Sequence, residues 1–163
     1  MKIAITDANI FIDLIHIELH DELFSSALEI HTTLSVFDEL NDTQQEKLSK
    51  YVERKLLTLH SKEAYEIPSE ILLNKGLSPS DKSVFGLAAE LNALILTGDG
   101  LLRKISGIQK IEVHGIIWLL DRFLIMKLIT KRKALLQLKS LMKYNKRLPS
   151  EDCEKRISEW SGD

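Results

Sequence analysis

The chain has 163 residues, 44% of them hydrophobic, one cysteine and a formal net charge of −2. That length suits a single domain burying roughly 70% of its unfolded surface, and a core of this size needs no covalent staples. The lone Cys153 excludes an internal disulfide framework and fits a reducing compartment. Asp7, Asp13 and Glu18 interrupt any apolar leader, and the most apolar run, 115–129, carries Asp121, Arg122 and Lys127 and is too short to span a bilayer, so a soluble cytoplasmic protein with no membrane contact is expected.

In chain order, Ile3 to Thr6 form a short run without Gly or Pro, which suits a strand buried on both faces of a parallel sheet. It runs into Asp7, after which Ile10, Phe11, Leu14 and Ile15 take up helical spacing, and a helix is read over Asn9 to Leu19. A second strand is expected around His31 to Val36, with Phe37-Asp38-Glu39-Leu40 opening a helix after it. Asp42 to Leu57 reads as an amphipathic outer helix, and Leu57 to Lys75 as short helices punctuated by Pro68. Ser78-Pro79-Ser80-Asp81 is a helix start: a capping serine, proline at the first helical position and a carboxylate at capping-box spacing. Val84, Leu87, Ala88 and Leu91 give that helix its buried face.

Ala93 to Thr97 then repeats the pattern of the first strand, closing on Thr and, after Gly98, on Asp99 before a helix from Leu101. A short strand over Ile111 to Val113 and helices over 115–126 and 130–145 follow, and Ser150 is read as the cap of a last helix that places Cys153, Ile157 and Trp160 on one face. Alternating strands and helices predict a three-layer α/β/α architecture on a parallel sheet. The domain is drawn over 1–126, with 127–163 a helical extension packed on it.

Two strands that end in carboxylates suggest one shared site, because open α/β sheets bind ligands at the C-terminal ends of their strands. Four acids could converge there: Asp7, Asp99, Asp81 in the first turn of its helix, and Glu39 or its neighbour Asp38. Crowded carboxylates raise one another's pKa unless cations neutralise them. All-oxygen ligands select Mg²⁺ or Mn²⁺, ions that orient water and stabilise charge on a phosphodiester in hydrolysis. Thr6, Asn9 and Thr97 stand where they could orient the carboxylates or the water. Each acid also has a purely structural reading: Asp7 as a cap or turn residue, Asp99 as part of a Gly-Asp-Gly turn, Asp81 as a capping box, Asp38 and Glu39 as helix-start charges.

Thr6-Asp7-Ala8-Asn9, Val36-Phe37-Asp38-Glu39-Leu40, Leu77-Ser78-Pro79-Ser80-Asp81 and Leu96-Thr97-Gly98-Asp99 together resemble PIN-domain nucleases, especially the single-domain toxin-like type. The resemblance covers about residues 1–120. It implies a five-stranded parallel sheet and a Mg²⁺- or Mn²⁺-dependent endoribonuclease acting on RNA. It favours Glu39 over Asp38 and makes Asp7, Glu39, Asp81 and Asp99 the catalytic metal ligands. It also implies frequent homodimers and, for toxin members, an antitoxin that blocks the site.

The net charge conceals an asymmetry. Residues 1–121 hold 11 Lys/Arg against 19 Asp/Glu, whereas 122–150 hold nine Lys/Arg and no acid. Lys131, Arg132, Lys133, Lys139, Lys143, Lys146 and Arg147 therefore read either as RNA-phosphate contacts beside an acidic site or as a solvated helix face. Leu135 and Leu138 read as core or dimer contacts. Asp13 is expected to be solvated, and His31, His60 and His114 to be scattered surface or capping residues. His16 and His20 are four residues apart, a spacing that could share zinc on one helix, although the glutamate of the catalytic motif is replaced by Ile17. Two rival classes are a receiver-like signalling module, which would want paired acids after the first strand, and a non-catalytic binding protein of the nuclease fold.

Overall fold

The computed structural model describes residues 1–62 and 64–162. Lys2–Thr6 (β1), Leu28–Thr33 (β2), Leu57–His60 (β3), Leu94–Leu96 (β4) and Val113–His114 (β5) form one sheet in the order β3-β2-β1-β4-β5. All four pairings are parallel, with Ala4 opposite Ile30 on one side and Leu94 on the other. β1 is central, and Ala4, Ile5 and Thr6 are fully buried, as a strand covered on both faces requires. The chain moves outward from β1 through β2 to β3 and then returns to β4 on β1's other side. Crossovers in two directions place helices on both faces, giving the expected three layers. The reversal opens a crevice between the C-terminal ends of β1 and β4.

The helices are Ala8–His16 (α1), His20–Leu23 (α2), Leu34–Glu39 (α3), Asp42–Glu53 (α4), Ser69–Leu72 (α5), Pro79–Leu91 (α6), Gly100–Ile108 (α7), Ile116–Ile125 (α8), Lys131–Tyr144 (α9) and Ser150–Ser161 (α10). Helix α6 lies across β1, β2 and β4, while α8 packs on α1, α2 and α9. Ala134, Leu138, Leu141, Cys153 and Trp160 of the C-terminal helices enter the same apolar core as Ile5, Phe11 and Phe123. Arg156 of α10 donates from Nε and Nη2 to both oxygens of Asp121 on α8, at 2.8–3.0 Å. Among the described residues no helix is long and apolar enough to cross a membrane.

Several boundaries differ from the sequence reading. The first helix stops at His16, Glu18 turns with φ 57°, and α2 starts at His20, so His16 and His20 do not share one helix face. Strand β2 begins at Leu28; Thr33 caps α3 by accepting from Val36 N at 3.1 Å, so Leu34, Ser35 and Val36 belong to the helix. Asp38 and Glu39 therefore end α3 instead of opening a helix. A strand, β3, occupies Leu57–His60, where short helices were expected. Ser150 is the first residue of α10 and Pro149 its cap, with no side-chain capping bond. Asp13 is buried, and Asn145 Nδ2 donates to its Oδ2 at 3.0 Å. The histidines are not scattered: the His31 and His60 rings share a 2.8 Å hydrogen bond, His31 also pairs with Glu29, and His114 stacks on Trp118 at 4.0 Å.

Candidate active site

The crevice is furnished by the residues that start the helices around it. Asp7 follows β1 as the cap of α1, its Oδ1 accepting from Ile10 N at 3.2 Å. Its other oxygen accepts from the Thr97 hydroxyl. Thr97 Oγ1 accepts in turn from Asp99 N at 3.0 Å, and Asp99 caps α7 by accepting from Leu102 N at 2.8 Å. One threonine thus ties together the two strand ends across the β1/β4 crevice. The Asp7 backbone N–H donates to Leu96 O at 3.0 Å, which continues the pairing of the two strands up to the acids themselves.

Asp81 enters from α6. Ser78 Oγ accepts from Asp81 N at 3.1 Å while Asp81 Oδ2 accepts from Ser78 N at 3.0 Å, a complete capping box. Glu39 comes from the end of α3, and Ser80 Oγ donates to its Oε1 at 2.5 Å. Ser80 thereby joins the third and fourth acidic segments. It is buried, and its position inside the capping motif was the available sequence signal for it. Asp38 is exposed and does not figure in the electrostatics of the other acids.

Those electrostatics show the acids acting on one another. Burial pushes the Asp7 carboxyl up from 3.8 to about 7, helped by the charges of Asp81 and Asp99 and opposed by the Thr97 and Ile10 hydrogen bonds. Burial also raises Asp81, opposed by its Ser78 bonds and helped by Asp99 and Glu39. Asp7, Asp81, Asp99 and Glu39 thus form one connected electrostatic set. Among the described residues no three carboxylate, imidazole or thiolate groups already close on a single point. Each of these aspartates spends one oxygen on a helix cap, and Asp7 gives its other oxygen to Thr97.

The remaining sequence candidates lie in different places. The Thr6 hydroxyl is buried without a partner, and it is the Thr6 carbonyl that accepts from Thr32 Oγ1 at 2.6 Å. Asn9 lines a cleft of about 390 Å³ together with Gly98 and Gly100, the neighbours of Asp99 in the chain. Lys131, Arg132, Lys133, Lys139 and Lys143 are all exposed. Helix α9 starts where α8 ends and returns toward α1, where Tyr144 stacks on His16 at 3.8 Å. Its 14 residues span about 21 Å, so Lys131, Arg132 and Lys133 stand at the end remote from the cleft and Lys143 at the near end. Arg147, the last of the basic residues the sequence offers for RNA, lines the cleft itself, together with Arg103, which the sequence reading passed over.

A structure-based comparison finds a domain of a functionally unknown protein from Methanocaldococcus jannaschii, with 20% identity, a TM-score of 0.52 and coverage of 71% of this chain and 91% of that one. That likeness concerns the fold alone. A PilT N-terminus domain protein from Sulfolobus solfataricus P2 aligns at 13% identity and a TM-score of 0.41, covering 75% of this chain and 93% of that one. No curated protein matches the sequence. The family model DUF3368, a PIN domain, matches residues 3–162, a span that includes α9 and α10. PIN domains are generally nucleases and commonly use divalent metal ions. With the model matching nearly end to end, the chain belongs to the PIN-domain family.

Proposed function

We propose that this protein is a metal-dependent endoribonuclease whose ligands are Asp7, Glu39, Asp81 and Asp99. The observation that carries this reading is the Thr97 bridge, which fixes Asp7 and the Asp99 backbone across the β1/β4 crevice. The same crevice holds an Asp7 carboxyl lifted to about 7 by burial and neighbouring acids. A buried acid so destabilised in isolation is the condition that a cation relieves. The donor set is all oxygen, which fits Mg²⁺ or Mn²⁺. Mg²⁺ keeps part of its water shell and takes only one or two carboxylates directly, so the other acids of the set would act through its waters. When bound, such an ion supplies neutralising charge and activation of the attacking water.

The protein's own groups do the positioning. Thr97 holds Asp7 in one orientation, the α7 N-terminus holds Asp99, Ser78 holds Asp81 and Ser80 holds Glu39. A site built this way is set before substrate arrives. RNA is the substrate in this reading, and a homodimer and a blocking antitoxin belong to its toxin-like form. The test is thermal unfolding with and without Mn²⁺. The unaltered protein should gain stability with rising Mn²⁺ by mass action, and the Asp7→Asn/Asp99→Asn variant should fold and lose that gain. An equal Mn²⁺-dependent rise in both proteins would remove these acids from the metal site.

A further inference from the structure

Resting on that reading, we propose that the cleft between the acids and the α9–α10 connection is the subsite for the RNA strand flanking the scissile bond, with Arg103 and Arg147 on its phosphates. The cleft is lined by Asn9, two residues after Asp7, and by Gly98 and Gly100, which flank Asp99, and it takes in His114, Arg147 and Leu148; the four acids themselves are not in its lining. At about 390 Å³ it is the size of a small-molecule pocket. That suits one or two unpaired nucleotides and not the broad minor-groove face by which duplex RNA is read.

Arg103 lies one turn beyond Asp99 on α7, its N–H donating to Asp99 O at 3.0 Å. Its guanidinium lies against Gly115: a Cβ there would stand 2.9 Å from Arg103 Nη1 and 3.6 Å from Thr97 O. The bare glycine therefore lets a full positive charge rest beside the threonine that holds Asp7. Arg147 comes from the connection after α9. Its N–H donates to Asn145 Oδ1 at 3.0 Å, and Asn145 donates in turn to Asp13 on α1, the helix that Asp7 caps. The connection after α9 is thus clamped to the catalytic helix.

Among the described residues neither arginine side chain makes an ion pair or a hydrogen bond, whereas Arg156, also in the cleft wall, is occupied by Asp121. The cleft acids are Asp13, which accepts from Asn145 and feels the charge of Arg147, and the exposed Asp152. Two guanidinium groups with their hydrogen-bond donors unspent offer the forked geometry that phosphate oxygens accept. They also offset the repulsion between four carboxylates and a polyanion. The C-terminal helices thereby acquire a role as the outer wall of the substrate path.

The test is anisotropy of a fluorescent single-stranded oligoribonucleotide with the full chain carrying Asp7→Asn, in EDTA, across a salt series. Arg103→Gln/Arg147→Gln in that background should weaken binding and lower the slope of log K against log salt by up to ~1.4, from ~0.7 per lost contact. The Lys131→Gln/Arg132→Gln/Lys133→Gln protein should keep the slope, since those charges sit at the far end of α9. An unchanged slope in the arginine double variant, or the loss appearing in the lysine-end variant, overturns the subsite and leaves the nuclease reading intact. No binding by the protein with both arginines present overturns the RNA reading and the subsite together.

Discussion

Replacing Asp7 by Asn should stabilise the metal-free protein, and the gain should grow with pH. The folded protein holds the Asp7 carboxyl at about 7 against an ordinary 3.8, so the native state binds more protons than the unfolded one between those values. Stability must fall as pH rises through that window, the reverse of a salt-bridged aspartate. At ~1.4 kcal/mol per pH unit, the penalty on the unaltered protein is about 4 kcal/mol at pH 8 and roughly 1–2 kcal/mol at pH 5. Asparagine removes it and can still accept from Ile10 N, as Asp7 Oδ1 does. Its amide cannot accept the Thr97 proton as Oδ2 does, and re-aiming that hydroxyl costs about 1 kcal/mol. The net expectation is a gain of about 3 kcal/mol at pH 8, under 1 kcal/mol at pH 5, and a small loss below pH 4. Urea unfolding of both proteins in EDTA at the three pH values measures this. Saturating Mn²⁺ at pH 8 should then close the gap by stabilising the unaltered protein alone. A pH-independent difference, or an unaltered protein at least as stable as the variant at pH 8 without metal, would refute the reasoning.

Ser78→Ala should cost about 1 kcal/mol through the lost cap with little effect on turnover, whereas Asp81→Asn should leave metal-free stability level or higher and cut activity by orders of magnitude; unfolding and cleavage assays on both variants separate capping from ligation. Gly86→Ala should destabilise by roughly 1–3 kcal/mol, because the new Cβ would meet Tyr65 Cβ at 2.4 Å and Cγ at 2.6 Å; a melting temperature within a degree of the parent's would contradict the packing. Arg156→Met should loosen α10 by breaking its paired contact with Asp121, an effect of about 1–3 kcal/mol visible as faster amide exchange in 150–161.

Local signals in the sequence carried much of the architecture. Both strands that run into aspartates stand at the sheet centre, and the Ser78–Asp81 capping box forms as its spacing demands. Helix ends were harder to see, for a specific reason. Among the described residues, no glycine has positive φ; the left-handed positions fall to Glu18, Ala27, Lys55, Asn92, Lys110 and Lys127. Apart from Asn92, none of these residues announces a helix stop. Lys55 is why α4 seemed to run into Leu57 and hid β3; Glu18 is why α1 was read on to Leu19.

The candidate site divides along similar lines. Asp7, Asp81 and Asp99 each sit in a local motif, strand-end or capping, that a reader of the chain can recognise. The ties among them cannot be read locally: Thr97 meets Asp7 across 90 residues, and Ser80 meets Glu39 across 41. The cleft wall is more remote still, since Asn145 reaches Asp13 across 132 residues. The basic residues from Lys131 to Arg147 read as one run in the sequence, but only the path of α9 separates Arg147, in the cleft, from Lys131–Lys133 at the far end.

The central claim is that the four joined acids cut RNA with a divalent ion. Its most direct measurement is cleavage of an end-labelled single-stranded RNA by purified protein with Mn²⁺, beside the Asp7→Asn/Asp99→Asn variant purified identically. The account predicts cleavage that requires Mn²⁺, stops with EDTA and is absent from the folded variant. Equal cleavage by the variant, or cleavage undiminished by EDTA, would contradict it.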